Sequence, residues 1–538
     1  MGTASARAEP ALRLLQLGAI AAVVAAGPWA LFDLDRYSVP KELVLHLAAC
    51  GASVLLLVHA RRVTLSLADA ALAGFLALSL ASALLAVNHW LAFRAFGISL
   101  SGALAFWTSR ALAREGYARA LVTTLAAGIV LAAALALMQA YGIESRLFSE
   151  RRAPGGTFGN RNFVAHFVTF GLPLLLLLAL SARRGAGLAW ATAGMALVAA
   201  VLVLSRSRAA WLGAGVCITF FAVEGYWRGR LGQDRRQRSR LVALGAAASA
   251  GVVLALLLPN TLEWRSDSPY LDSLLDVANY KEGSGHGRLI QYQNTLRIAA
   301  DHPLFGVGPG NWPVAYPKYT FPGDPAFDPG DFIPTNPWPS SDWMAIVAER
   351  GLPALVFLLA TGAALAIGAW QRWRRAPDTS EGLESFCGLL VLLALAVAGS
   401  FDAVVLLPAP TLYVGMALGA LTQPAPRPVF ERDLLDGGRR RLAGAVALTG
   451  LLLLIRSASQ LGAMMLFDGG RTTSTLEWAA RMDPGSYRMQ MLLGYAARDR
   501  GRCTEVRRHA EAAHRLLPNH PAPRRLLAAC RDGGRRTK

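Results

Sequence analysis

Apolar runs separated by short arginine-rich loops constrain the fold of this chain more than any other feature. Many runs approach the roughly 20 residues that an α-helix needs to cross a bilayer, and few of them hold a charge. The pattern predicts an all-α polytopic membrane protein with about thirteen transmembrane helices. The predicted spans are Leu14–Leu31, Leu43–Val58, Ala70–Val87, Leu91–Trp107, Leu121–Ala140, Phe163–Leu180, Leu188–Leu204, Ala209–Val223, Leu241–Leu258, Leu352–Trp370, Phe386–Ala398, Val404–Leu421 and Leu442–Ile455.

The basic charge follows the same alternation. The chain has 54 Lys and Arg residues against 35 Asp and Glu, a net charge of +19, which in a soluble protein would suggest nucleic-acid binding. Here the arginines cluster in every second loop, and short basic loops stay in the cytoplasm. We therefore expect a cytoplasmic amino terminus and, with an odd number of spans, a periplasmic carboxyl terminus. The clusters are Arg61/Arg62, Arg110 to Arg119, Arg183/Arg184, Arg228 to Arg240, Arg372 to Arg375 and Arg427 to Arg441.

The first apolar run has two interpretations. It follows Arg7 and Arg13 and ends close to Ala25-Ala26-Gly27, which is also the pattern of a cleaved signal peptide. We favour a retained span.

The segment from Asn260 to Asp342 departs most from this pattern, because it is polar and rich in proline and aromatic residues. The alternation places it outside the cytoplasm, and long loops of this kind usually carry function. It is therefore the predicted active face, a large periplasmic loop that contains helices. One amphipathic helix has Arg288 at the edge of a predicted buried stripe formed by Leu289, Tyr292, Leu296 and Ala299.

The tail beyond Arg471 is soluble in character, which divides the chain into a membrane domain (1–470) and a helical tail (471–538). Pro484 and Pro518 lie 34 residues apart, each ahead of a helical pattern, which is the spacing of tetratricopeptide repeats. An ordinary helical hairpin explains the same pattern. Antiparallel helices there would bring Cys503 and Cys530 together, and both a periplasmic disulfide and two free thiols fit.

Arginines at the outer end of a span are the first candidate functional groups. Arg206 and Arg208, in SRSRAAW, lie on the side where positive charge is disfavoured. An arginine held deep in the membrane costs about 2.5–3.5 kcal/mol and usually faces a cavity or a ligand, although snorkelling to the headgroups explains either one alone. With Arg288 they would suit a diphosphate, because guanidinium groups bind its oxygens and stabilise the charge that develops as it leaves.

Further candidates lie at the predicted outer mouth of the spans. Asn160, Arg161 and Asn162 lie there, where they would contact a phosphate or a sugar. His166 is expected to be a hydrogen-bonded intramembrane residue, with a ligand contact as the alternative. The loop aromatics would either stack on sugar faces or form an interfacial belt. They are Trp264, Trp312, Tyr316, Tyr319, Trp338 and Trp343.

Four segments, in this order, resemble one known family. They are GTFGNRNFVAHF (Gly156–Phe167), SRSRAAW (Ser205–Trp211), GRLIQYQNTLRIAADHPLFGVGPGNW (Gly287–Trp312) and the Glu349–Gly351 turn. Together they look like the O-antigen ligase family of polytopic glycosyltransferases, which includes O-antigen polymerases and protein O-oligosaccharyltransferases. YSVPKEL (Tyr37–Leu43) is similar to the first outer loop of many members, especially those with a tetratricopeptide tail. The resemblance covers roughly Tyr37 to Leu421.

The resemblance implies transfer of a glycan from an undecaprenyl-pyrophosphate carrier to an acceptor hydroxyl at the periplasmic face of the inner membrane. It implies no metal, nucleotide sugar or other cofactor, and it assigns the pyrophosphate to Arg208 and Arg288. A histidine at the end of the large loop would activate the acceptor. This sequence departs from the family pattern H-N/S-x-x-L-x-x-x-x-E-x-G, because the histidine position falls on Ser340 and the next on Ser341.

Three explanations of the missing histidine stay open. Asp342 would accept the hydroxyl proton if low-dielectric surroundings raise its pKa. Alternatively, His302 or His286 reaches the site from the other end of the loop. Otherwise positioning and charge stabilisation suffice with so good a leaving group, or the activity has been lost.

Two rival functions are weighed against the transferase. A transporter or flippase of the same lipid carrier would show internal repeats or broken helices in matching halves, and neither is seen in the sequence. An inactive scaffold of a polysaccharide assembly system is the other rival. The sequence does not separate lipid A-core, a growing polysaccharide and protein hydroxyls as acceptors. The tail would suit a protein partner, and nucleic acid is not an expected partner.

Overall fold

The computed structural model describes residues 2–533 except 30, 31, 33, 34, 61, 150, 151, 265, 267, 276–282, 329–335, 378, 423–427 and 471. Expectations that fall on Leu31, Arg61, Arg427 and Arg471 lie outside the described residues.

The described part of the chain is a series of helices with one small two-stranded sheet. The helices of the first half are α1 (Gly2–Val24), α2 (Asp35–Leu57), α3 (Leu67–Leu85), α4 (His89–Leu112), α5 (Ala118–Ala140), α6 (Arg161–Thr169), α7 (Gly171–Leu180), α8 (Gly185–Ser205), α9 (Arg208–Phe220), α10 (Arg235–Leu257) and α11 (Pro269–Leu275). Those of the second half are α12 (Gly283–Asp301), α13 (Trp312–Ala315), α14 (Asp342–Arg350), α15 (Leu352–Arg375), α16 (Ser380–Phe401), α17 (Pro408–Leu421), α18 (Asp436–Gly469), α19 (Thr473–Met482), α20 (Tyr487–Asp499), α21 (Cys503–Leu516) and α22 (Ala522–Gly533). The strands are β1 (Arg62–Leu65) and β2 (Phe430–Asp433).

Ten helices among the described residues are long and apolar enough to cross a membrane, which confirms an all-α polytopic membrane protein. One of the ten runs over 52 residues, from His89 to Ala140. That is about 78 Å of helix, more than twice a bilayer core. It breaks at Gly116, which has a φ of 92°, so α4 and α5 are separate elements. Since α1 is not among the ten and α17 is shorter, the total of thirteen stays a prediction.

The chain divides into two compact units. Unit 1 comprises Met1–Ala73, Ile98–Ala278 and Leu358–Leu454, and unit 2 comprises Gly74–Gly97, Asn279–Phe357 and Ile455–Lys538. In unit 1, α1 packs against α2, α5 and α17.

The basic loops of unit 1 contact one another. β1 pairs antiparallel with β2, and Arg114 donates to the Thr64 hydroxyl of β1 at 3.2 Å. Arg119 donates to the carbonyl oxygen of Ser181 at 3.0 Å, and Arg240 donates to the last carbonyl of α7. The loops that the sequence assigns to one side of the membrane therefore meet at one end of this unit.

The loops between those basic clusters meet in a second group. Arg36 donates to the carbonyl oxygen of Arg146 at 3.2 Å, and the N–H of Thr261 donates to the last carbonyl of α5 at 2.9 Å. The start of the large loop therefore packs on the end of α5, and the loop after α5 contacts the beginning of α2. The predicted alternation of loops agrees with these contacts.

Unit 2 contains the rest of the large loop, which has a core of its own. Ile298 of α12 packs with Trp312 and Tyr316, all of them fully buried, and α14 completes the cluster. The turn after α12 passes so close to α14 that a Cβ at Gly306 would lie 2.2 Å from the carbonyl carbon of Glu349. Glycine is required there because the backbone needs both a positive φ and a close approach.

The tail helices α19–α22 also belong to unit 2. Consecutive helices of the tail pack on one another, which agrees with the predicted helical tail, whereas its assignment to tetratricopeptide repeats stays a prediction. The indole N–H of Trp90 donates to Asp483 at 2.7 Å, and Asn519 donates to the carbonyl oxygen of Val314 at 3.0 Å. The tail therefore rests on α4 and on the large loop rather than hanging free.

Cys503 and Cys530 form a disulfide between α21 and α22, with Cα atoms 5.6 Å apart. The sequence had left open whether these two cysteines form a disulfide or stay as free thiols, and the structure has the disulfide. The other cysteines, Cys50, Cys217 and Cys387, are buried and unbridged.

We expect Cys503→Ser to destabilise the end of the tail. Closing a loop with a sequence separation of 27 residues removes chain entropy worth about 3 to 4 kcal/mol from the unfolded state. Limited trypsin digestion, without reductant, should cleave α21 and α22 faster in the variant than in the parent. Dithiothreitol should speed cleavage of the parent and leave the variant unchanged. Equal cleavage rates of parent and variant would show that the bridge does not stabilise the tail.

Candidate functional site

Three arginines and one serine line a cavity in unit 1. The cavity has a volume of about 150 Å³ and is lined by Arg161, Arg206, Arg208 and Ser273. Arg161 and Arg208 are the first residues of α6 and α9, and Ser273 belongs to α11. Three candidates from the sequence therefore come together, and Ser273 joins them without having been predicted.

A strained turn presents the two arginines of SRSRAAW. α8 ends at Ser205, and Arg206 adopts a left-handed conformation with φ 53° and ψ 29°. Within the described residues it is the one non-glycine residue with a positive φ. Such a residue costs of order 1–3 kcal/mol and persists where the surrounding structure fixes it, often at functional sites. The turn lets α9 begin at once, so that Arg206 and Arg208 both reach the cavity.

The turn before α6 holds Arg161 in place. Asn160 is buried, and its side-chain oxygen accepts the N–H of Asn162 at 3.0 Å, which caps the helix. Gly159 has a φ of 70°, and a Cβ there would lie 2.2 Å from the ring of Tyr37. The segment that contains Tyr37 therefore packs on the turn. Asn160 has a positioning role here, and neither asparagine lines the cavity.

Trp264 links two of the cavity arginines. Its ring centre lies 4.9 Å from the guanidinium carbon of Arg161 and 4.6 Å from that of Arg206. Each cation–π contact is worth about 0.5–2 kcal/mol. Nε of Arg206 also donates to the Ser273 hydroxyl at 2.9 Å. These contacts hold two like charges beside one another. The sequence did not predict this role for Trp264, which was expected either to stack on sugar faces or to belong to an interfacial belt.

The cavity lining is basic, and among the residues that the structure describes it includes no acidic side chain. Each guanidinium offers five N–H donors in a planar fork that matches phosphate oxygens. Because arginine does not lose its proton in proteins, these groups can bind an anion but cannot take up a proton from an acceptor. The chemistry that fits the cavity is therefore binding and stabilisation of a multiply charged oxyanion.

The residues at the end of the large loop lie in unit 2. Tyr292 donates to the carbonyl oxygen of Ser340 at 2.6 Å, and the N–H of Ser340 donates to Gln291 at 2.8 Å. Ser341 caps α14 by accepting a backbone N–H from its first turn at 3.4 Å. Asp342, the first residue of α14, is fully buried. This stretch is therefore fixed against α12 by its backbone.

The remaining candidates of the loop lie apart from one another. Trp312 is in the core of unit 2, where its indole N–H donates to the Thr295 hydroxyl at 2.9 Å. Arg288 is partly buried near the beginning of α12, and His302 is exposed just after its end. Their separation of fourteen residues corresponds to about 21 Å along a helix. The substrate contacts assigned to Trp312 and His302 stay predictions.

The burial of α12 corrects one expectation. Leu289 and Leu296, predicted to lie in the buried stripe, are 42 % and 51 % exposed. Tyr292 is half-buried and Ala299 is buried, as expected. The prediction failed because the loop supplies hydrogen-bond partners that allow a polar face to be buried, which apolar periodicity does not register. The buried face consists of Gln291, Asn294, Thr295, Ile298 and Ala299.

Glu349 ties the glycine-rich turn to α14. Its carboxylate accepts the N–H of Trp312 at 3.2 Å. Burial raises the pKa of the Glu349 carboxyl to about 7, against the opposing effects of Arg350 and of backbone N–H donors at Gly310 and Trp312. The guanidinium of Arg350 is buried as well and lies 5.2 Å from the ring centre of Phe75. Sequence reasoning used Glu349 only as a landmark of the family pattern.

The intramembrane histidine has a polar partner, as the sequence predicted. Nε2 of His166 lies 3.5 Å from a carboxylate oxygen of Asp402, and both residues are buried in unit 1. In the described part of the chain, no group of three or more His, Cys, Asp and Glu side chains could hold a metal ion.

Comparison with known proteins gives one match. Residues 193–359 match the model of a protein family described as O-antigen ligase. The match covers about a third of the chain, from within α8 to within α15, so it includes Arg206, Arg208 and Arg288 but neither Arg161 nor the tail. A search of curated proteins finds no match.

We expect Glu349→Gln to flatten the pH dependence of stability. The folded carboxyl, with a pKa of about 7 instead of its ordinary 4.5, keeps its proton over a range in which the unfolded chain loses it. Its contribution is therefore fully present below about pH 4.5 and falls by of order 3 kcal/mol as pH rises to about 7. Thermal unfolding between those pH values should show a steeper loss for the parent than for the glutamine variant. If the stability of the parent and of the glutamine variant falls equally with pH, the pKa of the Glu349 carboxyl is not raised in the folded protein.

Proposed function

Because the chain belongs to the O-antigen ligase and polymerase family, we propose that it transfers a glycan from undecaprenyl pyrophosphate to an acceptor hydroxyl. The proposed location is the periplasmic face of the inner membrane. The enzyme would use no metal and no nucleotide sugar.

The observation that carries this proposal is the cavity lined by Arg161, Arg206 and Arg208. Its volume of about 150 Å³ suits an anionic headgroup rather than a whole glycan. Guanidinium groups fixed in advance can neutralise charge on a diphosphate without reorganising during the reaction. Since α6, α8 and α9 reach the cavity from candidate membrane spans, a polyprenyl chain in the bilayer would be close to its own diphosphate.

In the proposed step, the acceptor hydroxyl oxygen attacks the anomeric carbon of the glycan. The bond from that carbon to the diphosphate breaks, and the diphosphate leaves with the electron pair. We assign Arg208 to the departing charge because it lines the cavity and matches the family arginine. We assign Arg288 the same task from its family position alone.

The hydroxyl proton needs an acceptor, and we retain Asp342 as the candidate. It directly follows Ser340, which stands at the position of the family histidine, and Ser341, and Asp342 itself is fully buried. A carboxylate in such surroundings can acquire a pKa suited to proton transfer. His286 and His302 are exposed, and lie near opposite ends of α12. Each histidine is an alternative proton acceptor to Asp342. The third alternative is a reaction in which the diphosphate leaves without the help of a base.

The proposed orientation follows from charge and from the disulfide. The end of unit 1 that gathers the basic loops would face the cytoplasm. With an odd number of spans, the tail would lie in the periplasm, an oxidising compartment in which the Cys503–Cys530 bridge can persist. Acceptor candidates in that compartment are lipid A-core, a growing polysaccharide and protein hydroxyls, and the exposed tail surface would suit a protein partner.

We expect Arg208→Ala and Arg288→Ala each to lower glycan transfer about 10²-fold or more, because fixed donors to a developing anion have effects of that size. Purified protein would be incubated with the lipid-linked glycan and with each acceptor class in turn. Arg183→Ala, at an exposed position in a basic loop, is the matched control and should stay close to the parent rate. Full activity of either test variant would remove that arginine from the mechanism. No transfer by the parent to any acceptor class would favour the inactive scaffold.

We expect Asp342→Asn to abolish the acidic limb of the pH–rate profile and to lower the rate at neutral pH, since the amide cannot accept the proton. Transfer would be measured across the pH range for the parent, Asp342→Asn and His302→Ala. A rate equal to that of the parent at every pH would exclude Asp342 as the base. If transfer is lost only in His302→Ala, the base is His302 and not Asp342.

A further inference from the structure

The polar face of α12 is turned inward and bonded to the rest of the loop. Asn294 donates to Asp324 at 2.9 Å, Gln291 accepts the N–H of Ser340 at 2.8 Å, and Thr295 accepts the indole N–H of Trp312 at 2.9 Å. Buried polar groups with partners of this kind are stable in a protein interior. Because this face points inward, the opposite face of α12 points away from the protein.

The outward stripe of α12 is apolar in two of its turns. Leu289, Gln293, Leu296 and Ala300 follow one another at helical spacing, and all four are exposed. Arg297 is exposed next to this stripe, and Arg288 is partly buried on its other side. A helix whose leucines face outward between two arginines has the pattern of helices that lie in a membrane interface.

The stripe continues into the turn after α12. Leu304 is 63 % exposed, and Phe305 beside it is also exposed. The backbone of this turn joins the first residue of a membrane span, because the N–H of Leu352 donates to the carbonyl oxygen of Pro303 at 2.8 Å. Leu352 and Val356 are exposed at the start of α15. The outward apolar surface of the turn is therefore continuous with the exposed apolar surface of a candidate membrane span.

The end of α3 meets the same turn. A Cβ at Gly308 would lie 2.3 Å from the Cβ of Ala86, and Leu85 and Val87 on either side of Ala86 are exposed. α3 is another candidate membrane span, and it ends at Leu85. The end of one candidate span and the beginning of another therefore meet at this turn.

We propose that α12 and the turn at 302–305 form a phospholipid-binding surface that lies on the leaflet where α15 begins. Leu289, Leu296 and Leu304 would enter the acyl region, while Arg297 meets headgroup phosphates. The surface would hold Arg288 at the height of the headgroups, where a lipid-linked diphosphate also lies. The lipid contact goes beyond the proposed function and does not depend on any transfer activity.

Single nitroxide labels test this surface in the full-length protein. The three free native cysteines are buried and the other two are bridged, so an introduced surface cysteine would be the reactive one. Leu289→Cys, Leu296→Cys and Leu304→Cys would be labelled one at a time and reconstituted in phosphatidylethanolamine–phosphatidylglycerol vesicles. Val356→Cys on α15 is the lipid-facing reference, and Glu511→Cys on the exposed side of α21 is the water-facing reference.

Collision of the label with oxygen reports lipid, and collision with a water-soluble nickel chelate reports solvent. We expect oxygen to dominate at 289, 296 and 304, as at 356, and the chelate to dominate at 511. Chelate-dominated collisions at 289 and 296 would overturn the proposal, whether or not position 304 contacts lipid. Low collision rates with both reagents at 289 and 296 would also overturn it, because protein would then cover the stripe. An unchanged tryptic digestion pattern would establish that each labelled protein is folded.

Discussion

Repulsion among guanidinium groups is the constraint on which the candidate site depends. Three arginines surround a cavity of about 150 Å³, and like charges at such short range oppose one another strongly away from bulk water. The structure offsets this repulsion with the Trp264 ring and the Ser273 hydroxyl, and it accepts a left-handed backbone at Arg206. An anion that entered the cavity would relieve this repulsion, which is the role that the proposed function gives to a diphosphate.

Hydrogen bonding organises unit 2. The large loop buries Asn294, Thr295 and Asp342 rather than an apolar stripe, and Glu349 fastens its glycine-rich turn to α14. The tail adds to this structure through Asp483 and Asn519, which bond to α4 and to the loop. The tail is therefore part of the unit that contains the candidate base, and a protein partner would bind only to the surface that these contacts leave exposed.

Sequence patterns predicted those parts of the structure that follow from periodicity and charge. The helical spans, the meeting of the basic loops and the approach of Cys503 to Cys530 needed only the rules for bilayers and antiparallel helices. The patterns failed where tertiary contacts decide. Leu289 and Leu296 were predicted to be buried because an apolar residue is normally turned inward, but a polar face with partners took that position. The contacts of Trp264 and Ser273 with the cavity arginines were missed because Arg161 and Arg206 lie far away in sequence.

The central claim is that the arginine cavity binds the diphosphate of the lipid carrier. The most direct measurement is the affinity of the purified protein for undecaprenyl pyrophosphate and for undecaprenyl monophosphate, before and after Arg206→Ala and Arg208→Ala, with Arg183→Ala as the control. The account predicts tighter binding of the diphosphate by the parent and by the control, and loss of that preference in both cavity variants. Equal affinity of the parent and the cavity variants for the diphosphate would contradict it.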